Sequence, residues 1–409
     1  MRVNTRITTT GAVLAASALI LTGCASQGDG GNNENTGGGS NEQSLTVWVD
    51  AERVAALEGV VAAYEEEKGI DINIVSKDAA KMKDDFSQQA STETGPDIVM
   101  GAHDWLGELV TNGVVAPIEL GDSSSNYLDV AVQAASYEGA TYLLPFSVEN
   151  LALLRNADLV PEAAANFDDM IAKGEAAGAE YPFIVQQGAE GDPYHLYPFQ
   201  TAFNAPVFGL DAEGNYNSED LQLAEGEGFA TWLGEQGANG TISTEITGDI
   251  ASEKFLAGDA AFWLTGPWNV SVATEAGINL AVDPIASPSD MPASPFAGVK
   301  GFVVNEYSDN KVAANDFLVN FVGTEEVQTA LYESSSVVPA LTASAEAAAS
   351  DPIVAGFLAA GEQAVPMPAI PEMGSVWEFW GVTEAAILGG SDPATSWQKL
   401  VADVQGAIQ

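Results

Sequence analysis

The sequence predicts an α/β fold built on a mainly parallel sheet flanked by helices, and three observations predict it. Short apolar strand patterns alternate with amphipathic helical ones from Leu45 onward. The first of these run in the order βαβαβ, which calls for crossover helices on both faces of a sheet. The chain has 409 residues at 46% apolar composition, enough for two or three domains with full-sized cores.

The elements follow in order. Leu45 to Val49 (LTVWV) is a buried-strand pattern, and Val54, Leu57, Val61 and Tyr64 then recur at helical spacing until Gly69 ends the helix. Asp71 to Val75 alternates as a second strand. A polar helix from about Lys77 to Ala90 leads through the turn Gly95-Pro96-Asp97 into a third strand, Ile98 to Met100. Further strand-like runs lie at Ala140 to Pro145, Leu151 to Arg155, Ala260 to Leu264 and Gly301 to Val304. The last helix is well marked. Asp392 can cap it, Pro393 suits its first position, and Trp397, Leu400, Val401, Val404 and Ile408 line one face.

Ahead of the first strand the chain carries an address. Arg2 and Arg6 precede an apolar stretch, Gly11 to Leu21, that is too short for a permanent membrane helix, so residues 1–23 read as a secretory signal. Leu21-Thr22-Gly23-Cys24 resembles the lipobox of bacterial lipoproteins, in which the cysteine becomes acylated, and Cys24 is the chain's one cysteine. Residues 24–44 are Gly-rich and lack apolar periodicity, a flexible tether whose reach is roughly 25 Å. The expected location is the extracytoplasmic face of a bacterial cell membrane, with lipid as the only anchor.

Composition excludes several functions. With 58 acidic against 13 basic residues, a formal net charge of −45, nucleic acid and anionic lipid surfaces would repel the chain. One Cys and two His cannot supply a zinc site of four Cys/His ligands, and no metal or cofactor is expected. The segment LDAEGNYNSEDL at Leu210 resembles a calcium loop, but Tyr216 occupies the position that must be glycine, so a surface hairpin turning at Gly214-Asn215 is expected instead. Glu65-Glu66-Glu67 reads as a solvated helix face. There is no Walker lysine loop and no G-x-S-x-G elbow.

What remains is an aromatic and acidic chemistry. The chain has eight Trp, several beside a carboxylate or in a tight turn. A pyranose ring offers an apolar C–H face that packs on an indole, and a rim of hydroxyls that needs acceptors and donors. Each buried aromatic removes about 150–250 Å² from water. At ~25 cal/mol/Å² that is several kcal/mol before costs. A hydroxyl bonded to a carboxylate adds roughly 1.5–3 kcal/mol.

The residues also carry a family resemblance over nearly all of 44–409. The stretches LTVWVDAER at Leu45, GPDIVMGAHDWLGEL at Gly95, LLPFSVENLALLRN at Leu143, DPYHLYP at Asp192, GDAAFWLTGPW at Gly258 and MPAIPEMGSVW at Met367 resemble the maltose-binding protein group of solute receptors for ABC importers. The resemblance implies a two-lobe periplasmic-binding-protein type fold with three crossing segments, near Val148, Pro295 and Leu341. The implied lobes are 45–147 plus 297–341 and 148–296 plus 342–409. It also implies an oligosaccharide ligand, maltose, maltodextrin or a related α-glucoside, ABC permease partners and a monomeric receptor. Carried over position by position, it places Glu52, Arg53 and Asp104 as hydroxyl partners in the first lobe and Glu149 after the first crossing. Asp192 and Tyr194 fall in an acidic-Pro-Tyr segment, Trp268 and Trp377 on stacking aromatics, and Met373 beside them. Three departures suggest a reshaped subsite. Gly101 stands where the maltose receptor has Trp, Trp105 replaces an Arg, and Glu378 replaces a Tyr.

Each position has a plainer reading. Trp48 and Trp263 sit inside strand patterns and are expected in the core. Asp104 could cap the helix beginning at Trp105. Arg53 could be solvated or pair with Glu52. Glu149 in the apolar run SVENLALL is a costly place for an acid unless something uses it. His103 and His195 read as structural or rim residues, and no catalytic residue is assigned. Two rival functions remain: a secreted glycoside hydrolase using a carboxylate pair such as Glu149 and Asp192, and a surface adhesin or scaffold with no sugar response.

Overall fold

The computed structural model describes residues 44–408, apart from 80, 213 and 334–336 and the side chains of 52 and 333. The signal segment, Cys24 and all but the last residue of the tether lie outside the described residues. That last residue, Ser44, already belongs to the first strand.

The fold is two α/β lobes, each with its own sheet. The first sheet has the order Val338–Pro339, Leu144–Asn150, Phe296–Asn305, Ile98–Ala102, Ser44–Val49, Asp71–Ser76. Its last three strands are parallel, with Leu45 opposite Ile72 and Val47 opposite Ile98. Leu45, Val47 and Val49 on one face and Trp48 on the other are all buried, as a strand covered on both faces requires. The helix Ala51–Lys68 starts where the Asp50 side chain accepts the Arg53 amide, and it stops at Gly69, whose left-handed φ of 66° lets its amide close on Glu65.

The second sheet has the order Leu280–Asp283, Ala152–Asn156, Ala260–Thr265, Tyr181–Val185. Ala260–Thr265 is buried throughout, with Trp263 fully so. Around this sheet lies a core rich in rings: Tyr197 stacks on Phe296 at 3.6 Å and 8°, and Trp380 and Trp397 are completely enclosed. Truncating a ring so enclosed costs about 3–5 kcal/mol, so this lobe's aromatic packing fixes the position of anything built on it.

The chain passes between the sheets three times. Leu144–Asn150 leads through Leu151 into Ala152–Asn156, and Leu280–Asp283 leads into Phe296–Asn305. Val338–Pro339 leads into the helices Thr342–Ala348 and Pro352–Gly361, the second of which packs on Leu280–Asp283.

Four expectations are corrected. The polar helix begins at Met82, not Lys77, because the Lys77 amide bonds Val49 and its ammonium sits 3.7 Å from the centre of the Trp48 ring. The run Ala140 to Pro145 divides: Ala140–Thr141 folds back on Ser136–Tyr137 through Glu138 and Gly139, both at positive φ, and a separate strand starts at Leu144. Glu65 is not merely solvated, since its Oε1 accepts the Ile72 amide at 2.9 Å. The fourth is the sheets, which are mixed rather than mainly parallel: Phe296–Asn305 runs antiparallel to Ile98–Ala102 and to Leu144–Asn150, and Ala152–Asn156 runs antiparallel to both of its neighbours. The hairpin and the last helix are as expected. The segment after Leu210 is a hairpin, with Gly214 at φ 87° and Asp211 bonding Asn215. The last helix, Pro393–Ala407, is capped by Asp392 and buries Trp397, Leu400 and Val404.

Candidate binding site

Aromatic side chains of the second lobe form a connected wall. The Tyr194 ring lies 6.5 Å from Trp268 and 6.3 Å from Phe296, and Phe296 is 6.3 Å from Trp377, which stacks on Trp380 at 5.3 Å. The wall is held from behind by the buried Trp380 and Tyr197, while its outer rings are available. Trp268 is 46% exposed and Trp377 is half-buried. Trp268 stands in the short turn Pro267–Asn269, where Gly266 is required because a Cβ there would lie 2.1 Å from the indole.

Tyr194 ties this wall to the acids. Burial pushes its phenol well above the ordinary tyrosine value, and the charges of Glu149, Asp192 and Asp104 push it further. Asp104 belongs to the first lobe, Glu149 to the first crossing strand and Asp192 to the second lobe. Acids from three parts of the fold therefore converge electrostatically on one phenol.

The first-lobe face is polar and internally paired. Arg53 is buried, bonds Asp50 Oδ2 through Nη1 at 2.9 Å, and lies 5.7 Å from the Phe146 ring centre. Glu149 meets Lys300 Nζ at 3.0 Å, so the acid inside an apolar strand has a partner on the neighbouring crossing strand. Asp104 caps no helix: it lies in the short turn His103–Trp105, and it makes no hydrogen bond among the described residues. Trp105 is half-buried with its ring over Gly101, where an added Cβ would approach the indole to 2.8 Å. One indole here requires the glycine four residues earlier, so the two departures at Gly101 and Trp105 are a single structural change.

Asp192 is held by its neighbours. It caps the helix Pro193–Ala202 by accepting the His195 amide, takes a 2.6 Å bond from Gln186 Nε2, and lies 2.9 Å from His195 Nδ1. Burial raises its carboxyl, but the hydrogen bond and charge of His195, with the bonds from Gln186 and the His195 amide, hold it below the ordinary aspartate value. His103 is also structural. Its Nδ1 accepts the Val299 amide, its Nε2 faces the Met367 carbonyl at 2.9 Å, and burial lowers its pKa.

Two expected residues stand apart from the exposed surface of the wall. Met373 is 3% exposed and belongs to the core of the second lobe. Glu378 is exposed one residue beyond Trp377, with its carboxylate in solvent. The Glu52 side chain lies outside the described residues. Sequence reasoning missed Asp50, Phe296 and Lys300. Asp50 was legible as a helix cap preceding Arg53. Lys300 was legible as one of only 13 basic residues, set in the apolar strand AGVKGFVV.

A cavity of about 1010 Å³ lies on the other side of the crossing strands, lined by Leu128, Val148, Phe208, Tyr216, Val338 and Phe357 among others. It contains none of the site indoles. Val148 faces it from the side of the strand opposite Glu149, and it touches the aromatic wall only from behind, at the buried Tyr197. Among the described residues no group of three His, Cys, Asp or Glu side chains could hold a metal ion, and no helix is long and apolar enough to cross a membrane.

Two α/β lobes on crossing strands, with ring planes on one wall and paired acids and bases on the other, define a class of two-lobe solute receptors. The chain belongs to the bacterial extracellular solute-binding protein family, whose pattern matches residues 59–356. It is similar to the galactooligosaccharide-binding protein of Bacillus subtilis (strain 168), 27% identical over 97% of this chain and 96% of that one. It is also similar to a maltooligosaccharide ABC transporter solute-binding lipoprotein of Streptococcus pneumoniae serotype 4, 26% identical over 88% and 87%. A crystal structure of a cyclo/maltodextrin-binding protein complexed with maltotetraose matches with a TM-score of 0.82 and 26% identity, covering 90% of this chain and 97% of that one.

Proposed function

We propose that this chain is a lipid-anchored extracytoplasmic receptor that binds a neutral oligosaccharide, a maltodextrin or related α-glucoside, and delivers it to an ABC importer permease. The lobes we assign are 45–147 plus 297–341 and 148–296 plus 342–409, with Cys24 as the acylated residue. The observation that carries the reading is the run of ring contacts from Trp268 through Tyr194 and Phe296 to Trp377, whose outer indoles are exposed or half-buried. A sugar seated there stacks its C–H face on the indoles and turns its hydroxyls to the acids.

The charges favour an uncharged ligand. Arg53 with Asp50, and Lys300 with Glu149, neutralise each other, leaving carboxylate oxygens and ammonium protons as hydrogen-bonding groups without a net field for an anion. Two stacked rings and a few charge-assisted hydroxyl bonds reach micromolar affinity, about −8 kcal/mol, after the entropy of association is subtracted. Closure follows because a ligand touching both lobes binds the closed state better than the open one.

The hydrolase reading is weaker. A general acid needs a raised pKa and a free proton, whereas Asp192 is held low by His195 and Gln186 and Glu149 is ion-paired. The supporting relatives are named as binding proteins. A calorimetric panel of maltose, maltotriose, trehalose, sucrose, raffinose, galactooligosaccharides and xylooligosaccharides, followed by chromatography of the recovered sugar, tests the proposal. Saturable one-to-one binding of an intact sugar is expected. Stoichiometric or greater cleavage, or no heat with any sugar, would overturn it. Release of the protein from membranes by Cys24→Ala tests the anchor, and retention contradicts it.

A further inference from the structure

Behind the aromatic wall lies a carboxyl that the binding reading does not use. Glu384, on the helix Met373–Leu388, is 0% exposed, and neither carboxyl oxygen has a hydrogen-bond partner among the described residues. The Trp380 indole one turn earlier favours the ionised form, but its Nε1 proton is donated to Gln200 Oε1 at 3.1 Å, so burial outweighs it. A carboxylate in such a place has no compensation for lost water, so the group stays protonated.

The position of Glu384 connects it to the site. One turn earlier, Gly381 is pressed against the turn before Asp192. A Cβ added to Gly191 would lie 2.1 Å from the Gly381 carbonyl oxygen, and one added to Gly381 would lie 2.6 Å from that of Glu190. Helix and turn therefore meet backbone to backbone with no slack. Titratable groups on the packed elements are Glu190, Asp192 and His195 on the turn and helix Pro193–Ala202, Glu227 and Glu235 on Glu227–Asn239, and Lys399 and Asp403 on Pro393–Ala407. Among the described residues, Asp192 is the charge that bears on Glu384, after burial itself. Asp192 in turn holds His195 at 2.9 Å, and His195 packs edge-on against Tyr194 at 5.5 Å and Trp268 at 6.3 Å.

We infer that Glu384 is a positioning residue for the binding wall, acting through Asp192. As an uncharged acid it lets the helix seat against the turn and adds no second negative charge beside Asp192. When it ionises, it repels Asp192, loosens the Asp192, His195 and Gln186 contacts, and drops the two stacking rings out of register. Sugar affinity is thereby linked to a proton that the sugar never touches. The inference rests on the sugar-binding reading above.

The test is titration of the full-length protein with maltotriose from about pH 6 to about pH 9, for wild type, Glu384→Gln and Glu384→Leu. Wild-type affinity is expected to fall about tenfold across the range, the equivalent of one pKa unit of proton linkage. Both uncharged variants should hold their affinity at the alkaline end, and either suffices should the other fail to fold. A purely structural role for Glu384 would change melting temperature without changing this pH profile. A flat wild-type profile, or the same alkaline fall in a folded uncharged variant, overturns the inference. Absence of maltotriose binding by wild type at every pH is a different result and bears on the proposed function instead.

Discussion

The two faces of the site are built from opposite materials. On the second lobe, Tyr194, Phe296, Trp377 and Trp380 form a continuous run of rings anchored in an enclosed core, with Trp268 at the open end. On the first lobe and the crossing strands, Arg53 with Asp50 and Glu149 with Lys300 form a face of charges that are already paired. Area supplies energy with little regard to direction, whereas paired charges supply direction with little net energy, because each pair must exchange one partner for a sugar hydroxyl. The difference teaches that affinity should reside mainly in the rings and selectivity mainly in the ion pairs.

Substitutions can break that contrast. The largest effect on binding is expected from Trp268→Ala. Maltotriose affinity should fall at least about tenfold by calorimetry, since a lost stacking plane is worth more than about 1.4 kcal/mol. Melting should barely move, because the indole is 46% exposed. An unchanged affinity would remove Trp268 from the site.

Next is Lys300→Met, which leaves Glu149 in a mostly buried position without its ion partner. Destabilisation of about 1–3 kcal/mol in chemical denaturation is expected, with a several-fold loss of affinity. Adding Glu149→Gln should recover most of the stability but not the discrimination among sugars. Failure of the double variant to recover would show that the two residues do not act as a pair.

Asp192→Asn sharpens the acid side. The Asp192 carboxyl is held below its ordinary value, so its contribution to stability is present above the unfolded aspartate range and is lost as pH falls through the folded value. The Asn variant should therefore be less stable than wild type by about 1 kcal/mol near neutrality and equal to it in strong acid. A constant difference at every pH would contradict this. The smallest effect belongs to Gly101→Ala, whose Cβ would push on the Trp105 indole. A change of about two- to threefold in affinity, with altered preference between sugars, is expected from moving an indole by a few tenths of an ångström.

Much of the fold was legible because it depends on local patterns. Leu45 to Val49 and Asp392-Pro393 announced a strand and a capped helix through burial period and cap chemistry. What depended on distant partners was not legible. Lys77 leaves the helix because of Trp48 and Val49, and Glu149 is tolerated because Lys300 stands on a strand 151 residues later. Phe296 reads as the first apolar residue of a strand, and only stacking on Tyr197 and contact with Trp377 make it the middle of the wall. Met373 joined the site by resemblance alone, but it shares the buried stripe of Val376 and Trp380 on its helix, which points it into the core.

The central claim is that a sugar joins the ring face to the charged face. Small-angle X-ray scattering of the full-length protein with and without saturating maltotriose tests it most directly. A ligand-dependent decrease in radius of gyration, abolished by Trp268→Ala at the same sugar concentration, is the predicted result. Saturating, calorimetrically verified binding with no change in the scattering curve would contradict it, since the sugar would then be held by one face alone.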